Sequence, residues 1–225
     1  MINWLLIIWG VMIAVFSYLL GSIPFSYLVA WAYGKNLYQI GSRNIGAANV
    51  WRATHRFEAL LMALIGDVGK GALSIFFAQK FSESCFAPYL LIAQVIAAFF
   101  VVLGHNWPIY LKFKGGRGLA ALAGAILFLN WKVILLVLIT IGFFIYLTEL
   151  LTKKRITLVG TFKEKIKGLF SVFISQVLGR MIGILAAAIL VYILYPSVFK
   201  AAFPATILSG IKHIKRTKDF LKRPG

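Results

Sequence analysis

Apolar runs, several of them long enough to cross a bilayer, recur along this 225-residue chain, most of them separated by short polar or basic stretches. They fall near residues 4–33, 57–81, 87–107, 119–130, 131–151, 169–195 and 197–211. A hydrocarbon core about 30 Å thick is spanned by roughly 20 helical residues, and a helix satisfies its own backbone polar groups there. The pattern therefore predicts an all-α, polytopic membrane protein of about seven transmembrane helices. Several runs are short or carry Gly and Pro, which predicts tilted or broken spans. With 61% hydrophobic and only 13% charged residues, the balance excludes an ordinary soluble domain. The first run has no basic region before it and no small-residue cleavage site, so it reads as a retained span. No internal repeat appears, and residues 1–225 read as a single membrane domain.

Charge sets the orientation. Lys35, Arg43, Arg52 and Arg56 follow the first run, Lys112, Lys114 and Arg117 the third, six Lys and Arg from Lys153 to Lys167 the fifth, and a last cluster begins at Lys212. All four clusters fall on one side, whereas the opposite connections hold Lys80, Lys132 and Lys200. The positive-inside rule then places the N-terminus outside and the C-terminus in the cytoplasm. The net charge of +18 does not point to nucleic acid, because the cations are clustered between apolar runs. Anionic membrane lipids and phosphorylated substrates are the expected partners. The 152–168 loop is basic with apolar residues interspersed, and fits either an amphipathic surface helix or a solvated linker. The 212–225 tail is a second basic cytoplasmic segment. Cys85 is the single cysteine, which excludes an intrachain disulfide.

Two glycine-rich basic stretches interrupt the apolar pattern on the expected cytoplasmic face: 41–52, which reads GSRNIGAANVWR, and 112–118, which reads KFKGGRG. Glycine lets backbone N–H groups converge on an anion, and nearby Arg and Lys neutralise it. Such a pair suits a phosphorylated substrate from the cytosol and an apolar one from the bilayer. Within the second run, Asp67 and Lys70 lie three residues apart on one helical face, the arrangement of an intrahelical ion pair. The pair could also orient a loop or substrate beside it. Arg180 has no acidic neighbour in sequence and reads as a snorkelling residue or one paired across spans. His105 ends the third run just before the second glycine stretch, with cap and catalyst as equal readings. Six acidic residues in the whole chain leave no room for paired catalytic carboxylates, and no nucleophile elbow, zinc spacing or Walker loop occurs. Any chemistry must rest on positioning and electrostatics, with a substrate phosphate oxygen as a possible proton acceptor.

Taken in order, Gly21-Ser22-Ile23-Pro24, the 41–52 stretch, Asp67 with Lys70-Gly71, Gly104-His105-Asn106 and Phe113–Ala120 resemble the PlsY-type acyl-phosphate:glycerol-3-phosphate acyltransferases, small bacterial membrane enzymes that make lysophosphatidic acid. The resemblance covers about the first half of the chain. It implies seven spans with the N-terminus outside, a multi-pass location in the bacterial inner membrane, and no metal or other cofactor. It further implies that Gly41, Ser42, Asn44, Arg52, Lys114, Gly115, Gly116 and Arg117 bind glycerol-3-phosphate and acyl-phosphate, with Ser42, Asn44 and His105 as the catalytic candidates. His213 and Arg216 in the tail would complete the substrate-binding set. The chain departs from the family pattern in having Arg43 for a glycine and Arg117 for a lysine. In the tail, either Arg216 replaces an asparagine as anion ligand or that wall of the pocket is lost. A non-catalytic relative that binds or moves phosphorylated lipids, or serves as a membrane scaffold, is the alternative.

Overall fold

A computed structural model of the chain describes residues 4–151 and 177–221, the side chains at 84–85, 149, 151, 177–181 and 213–221 not being among those described. The 152–168 loop and the side chains of Arg180, His213 and Arg216 thus lie outside the described residues. Those described form nine α-helices: α1 (Trp4–Ser22), α2 (Phe25–Ala32), α3 (Ala47–Thr54), α4 (Phe57–Cys85), α5 (Leu90–Asn106), α6 (Leu119–Leu129), α7 (Trp131–Leu151), α8 (Val177–Leu194) and α9 (Pro196–Leu221). Single 3₁₀ turns at Ala87–Tyr89 and Ile109–Leu111 flank α5. Among the described residues, four stretches are long and apolar enough to cross a membrane: Trp4–Ala32, Phe57–Glu83, Ala87–Leu111 and Trp131–Thr148. Leu119–Leu129 and Ile182–Leu194 are shorter apolar helices.

Three differences from the sequence reading have physical causes. The run over 4–33 is two helices, because Pro24 has no N–H to continue the ladder. The first basic stretch contains a helix of its own, α3, which begins after an extended Gly46 and ends at a left-handed His55. The last helix runs on from the apolar segment through the basic residues to Leu221 rather than stopping at 211.

The chain divides into two compact units, Met1–Leu129 with Lys200–Gly225, and Asn130–Phe199. In the first, Ala93, Ala97, Ala98, Ala121, Ala125 and Ala205 are buried in the principal core beside Ile75, Val101 and Val102. Small side chains suit this setting, since helices surrounded by lipid gain from close backbone approach rather than from hydrophobic burial. Gly71 and Gly124 mark the closest contact of α4 with α6: a Cβ on either would overlap backbone of the other helix. Ser74 adds a buried bridge from α4 to α5, its hydroxyl donating to the Ala97 carbonyl at 3.2 Å. A second cluster, built on Ala30, Leu37, Ile45, Val50 and Ala63, packs α2, α3 and the glycine-rich loop against α4. That cluster holds the loop in place. In the second unit α7 lies along α8, where Gly183 faces the backbone of Ile141.

Candidate anion-binding site

The break between α1 and α2 begins the site. A helix that ends within a membrane leaves carbonyls without partners, and each needs a donor. Lys70 on α4 supplies one, its Nζ donating to the Ile23 carbonyl at 2.8 Å. The same Nζ lies 3.0 Å from Asp67 Oδ1, one turn back on α4. Ser26, in the first turn of α2, donates to Asp67 Oδ2 at 2.5 Å. His105 Nδ1 stands 3.6 Å from Asp67 Oδ1. Asp67 and Lys70 are 1% and 2% exposed and His105 is 7% exposed, so the cluster is sealed from solvent. It ties α2 to α4 through one carboxylate, with His105 at the end of α5 packed beside it.

His105 then meets the second glycine stretch. Its carbonyl accepts the Gly116 N–H at 3.0 Å. A Cβ at Gly116 would overlap His105 Nε2 and the Ile45 carbonyl oxygen, so only glycine fits between the ring and the first loop. The imidazole therefore lies beneath the glycine turn, enclosed by it. Gly116 is also where the two loops touch. Tyr38 adds a second tie, its hydroxyl donating to the Lys114 carbonyl at 2.8 Å.

The first loop is organised by Asn49, a residue the sequence reading did not single out. Its side chain is 1% exposed. Its Oδ1 accepts the Ser42 N–H at 3.0 Å, and its Nδ2 donates to the carbonyls of Leu37 and Ile40 at 3.3 and 3.1 Å. Gly41 is left-handed at φ +55°, and a Cβ there would crowd Asn49 Oδ1. Arg43 is left-handed too, at φ +54°. Asn49 thereby fixes the backbone that presents exposed Ser42 and half-buried Asn44. No sequence signal singled out Asn49, because the short helix that carries it has no span signal and its partners are set by the conformation of the loop.

Two guanidiniums converge on this junction. Arg52 is half-buried in the last turn of α3, where its Nη1 approaches the Ala48 carbonyl at 3.4 Å. Arg117 is half-buried on the glycine turn, and its Nε is buried without a hydrogen-bond partner among the described residues. Burial, and after it the charge of Arg52, pull the Arg117 pKa below its ordinary value. Two cations held together with a buried N–H left over form a place for a multivalent anion. Alongside, Tyr38, Tyr110, Leu111, Lys112 and Lys114 line an open cavity of about 430 Å³. The C-terminal half of α9 closes the other side, with Ser209 donating to the Arg117 carbonyl at 2.6 Å and Lys212 to the Asn106 carbonyl at 2.7 Å. Of the sequence-derived residues, Gly41, Ser42, Asn44, Lys114, Gly115, Gly116 and Arg117 lie on the two joined loops, Arg52 in the last turn of α3 and His105 directly beneath the glycine turn.

The sequence matches the family model for glycerol-3-phosphate acyltransferase over residues 11–223. The chain belongs to that family. Among proteins similar to it, the glycerol-3-phosphate acyltransferase of Wolbachia pipientis wMel is 40% identical over 127 residues, 56% of this chain and 63% of the relative. That of Carboxydothermus hydrogenoformans is 36% identical over 149 residues, 66% of this chain and 69% of the relative. The matched segment thus spans less than two thirds of the Wolbachia protein. The fold is similar to the crystal structure of PlsY, an integral membrane glycerol 3-phosphate acyltransferase, in its glycerol 3-phosphate form, with a TM-score of 0.67 at 24% identity over 96% of each chain. The lysophosphatidic acid form of PlsY aligns with a TM-score of 0.66 over 94% of this chain and 91% of that one. With its apolar helices and this fold, the protein is an integral membrane protein.

Proposed function

We propose that this protein transfers a fatty acyl group from acyl-phosphate to glycerol-3-phosphate, giving lysophosphatidic acid for phospholipid synthesis in the bacterial inner membrane. The observation that carries this reading is the convergence of Arg52 and Arg117, with the Arg117 Nε buried and unbonded among the described residues, where the two glycine loops meet. Both substrates bear phosphate, and charge-assisted bonds to arginine are the strong way to hold it. In the reaction, a glycerol hydroxyl attacks the acyl carbonyl, the new ester C–O bond forms, and the bond between acyl carbon and phosphate oxygen breaks. Inorganic phosphate leaves, and the hydroxyl proton passes to a phosphate oxygen. Arg52, Arg117 and Lys114 would offset the charge that develops, while Ser42 and Asn44 orient the acceptor. His105, closed in between Asp67 and Gly116, would act by fixing the glycine turn rather than by touching the acceptor.

Seven spans with the N-terminus outside place both loops at the cytoplasmic face, where glycerol-3-phosphate arrives from the cytosol and the acyl chain enters between helices. Alanine at Ser42, Arg52 and Arg117 together should abolish both acyl transfer and phosphate protection of the purified protein against heat. Unchanged transfer and binding in the well-folded triple variant would place the site elsewhere. Phosphate binding without turnover in the wild type would favour a lipid-binding relative.

A further inference from the structure

The anion site contains a residue that neither the glycine motifs nor the basic tail announce. Arg117 can serve an anion only if its backbone holds the side chain at the junction, and the turn around it is made largely of glycine, which gives little stiffness of its own. Three bonds fix that turn. The Gly116 N–H donates to the His105 carbonyl at 3.0 Å, the Gly118 carbonyl accepts from the Leu122 N–H at 2.8 Å at the start of α6, and the Arg117 carbonyl between them accepts from Ser209 Oγ at 2.6 Å. The first two lie on the loop's own flanks. The third comes from α9, 92 residues away, and Ser209 is 2% exposed.

Ser209 is itself held in register by its neighbours. Asn106 Nδ2 approaches the Leu208 carbonyl at 3.4 Å. Lys212, one turn later, donates to the Asn106 carbonyl at 2.7 Å and sits 4.4 Å from the centre of the Trp107 ring. A cation at the C-terminal carbonyls of α5 and over an aromatic face is doubly favoured. α9 is thus pinned to the end of α5 on either side of Ser209, and its hydroxyl reaches the one carbonyl that sets the direction of Arg117.

We infer that Ser209 is a positioning residue of the phosphate site, holding the Arg117 backbone so that its guanidinium meets the substrate phosphate beside Arg52. Ser209 does not touch substrate. Its kinetic consequence rests on the acyl-transfer reading above, whereas its effect on inorganic phosphate binding does not.

The test compares Ser209→Ala, Ser209→Thr and Ser209→Val in the full-length purified protein, Thr and Val having the same shape with and without the hydroxyl. Affinity for inorganic phosphate is measured together with KM for each phosphorylated substrate and kcat. The inference predicts that Ala and Val weaken phosphate binding and raise at least one KM about fivefold, the scale of one lost hydrogen bond, with kcat falling alongside because Arg117 also offsets charge in the reaction. Thr should match the wild type. Equal behaviour of Thr and Val, whether both normal or both impaired, would overturn the role of the hydroxyl, as would a loss confined to kcat. A wild type that binds phosphate but forms no lysophosphatidic acid would instead defeat the acyl-transfer reading and leave the phosphate comparison to judge Ser209.

Discussion

Among the described residues Lys70 heads the fully buried side chains by volume, and its position follows from what a broken helix requires. Pro24 interrupts α1 and α2, the Ile23 carbonyl needs a donor, and Asp67 makes a buried ammonium tolerable. Asp67→Asn would leave that ammonium unpaired and should cost about 3–5 kcal/mol, read as a lowered unfolding midpoint in detergent. Removing both charges with Asp67→Asn/Lys70→Met should recover most of the loss, short of about 1 kcal/mol for the lost Lys70 bond to the Ile23 carbonyl, which keeps the Phe25 N–H at 3.2 Å. A double variant no more stable than the single one would show that the pair is not energetically coupled. At the anion site, Arg52→Ala or Arg117→Ala should lower catalytic efficiency about ten- to a hundredfold, the value of one charge-assisted bond. Arg117→Lys separates two accounts. A point charge suffices if activity persists, whereas its loss means that the planar fork beside Arg52 is needed. Arg43 occupies left-handed backbone at a cost of about 1–2 kcal/mol, so Arg43→Gly should stabilise the loop, and an unchanged midpoint would contradict that cost.

Helices were legible where hydrophobicity alone decided them. The 131–151 run coincides with α7, and the 119–130 run differs from α6 by one residue. Broken spans were expected wherever a run carries Gly or Pro, but the position of the break at Pro24 was hidden because apolar residues continue on both sides of it. α3 was missed because eight residues of mixed polarity carry no span signal, and its helix exists only against the Val50 and Ala63 cluster. The contact between the two glycine loops was anticipated from their common face, but Asn49, Ser209 and Lys212 were not. Their partners lie on other elements or depend on a loop conformation that no local pattern records. Close packing gives a test at this level. Gly71→Ala drives a methyl into α6 backbone and should destabilise by about 1–3 kcal/mol or more, whereas Gly69→Ala meets nothing within 4 Å and should be neutral or stabilising. Equal effects at the two positions would contradict the α4 and α6 contact.

In the proposed function the molecule as a whole joins a bilayer to an anion site, and the distribution of Lys and Arg predicts the cytoplasmic face for that site. In a Cys85→Ser background, cysteines placed in the 152–168 loop and after Lys218 should be labelled only from the cytoplasm by a membrane-impermeant reagent. Labelling of either from outside would break the shared face on which both glycine loops depend. The central claim is the chemistry at that face. Purified protein is given radiolabelled glycerol-3-phosphate with either acyl-phosphate or acyl-coenzyme A, and labelled lysophosphatidic acid is measured. The account predicts rapid formation from acyl-phosphate with stoichiometric release of inorganic phosphate, and little from the thioester. No labelled product, or an equal or faster rate with acyl-coenzyme A, would contradict it.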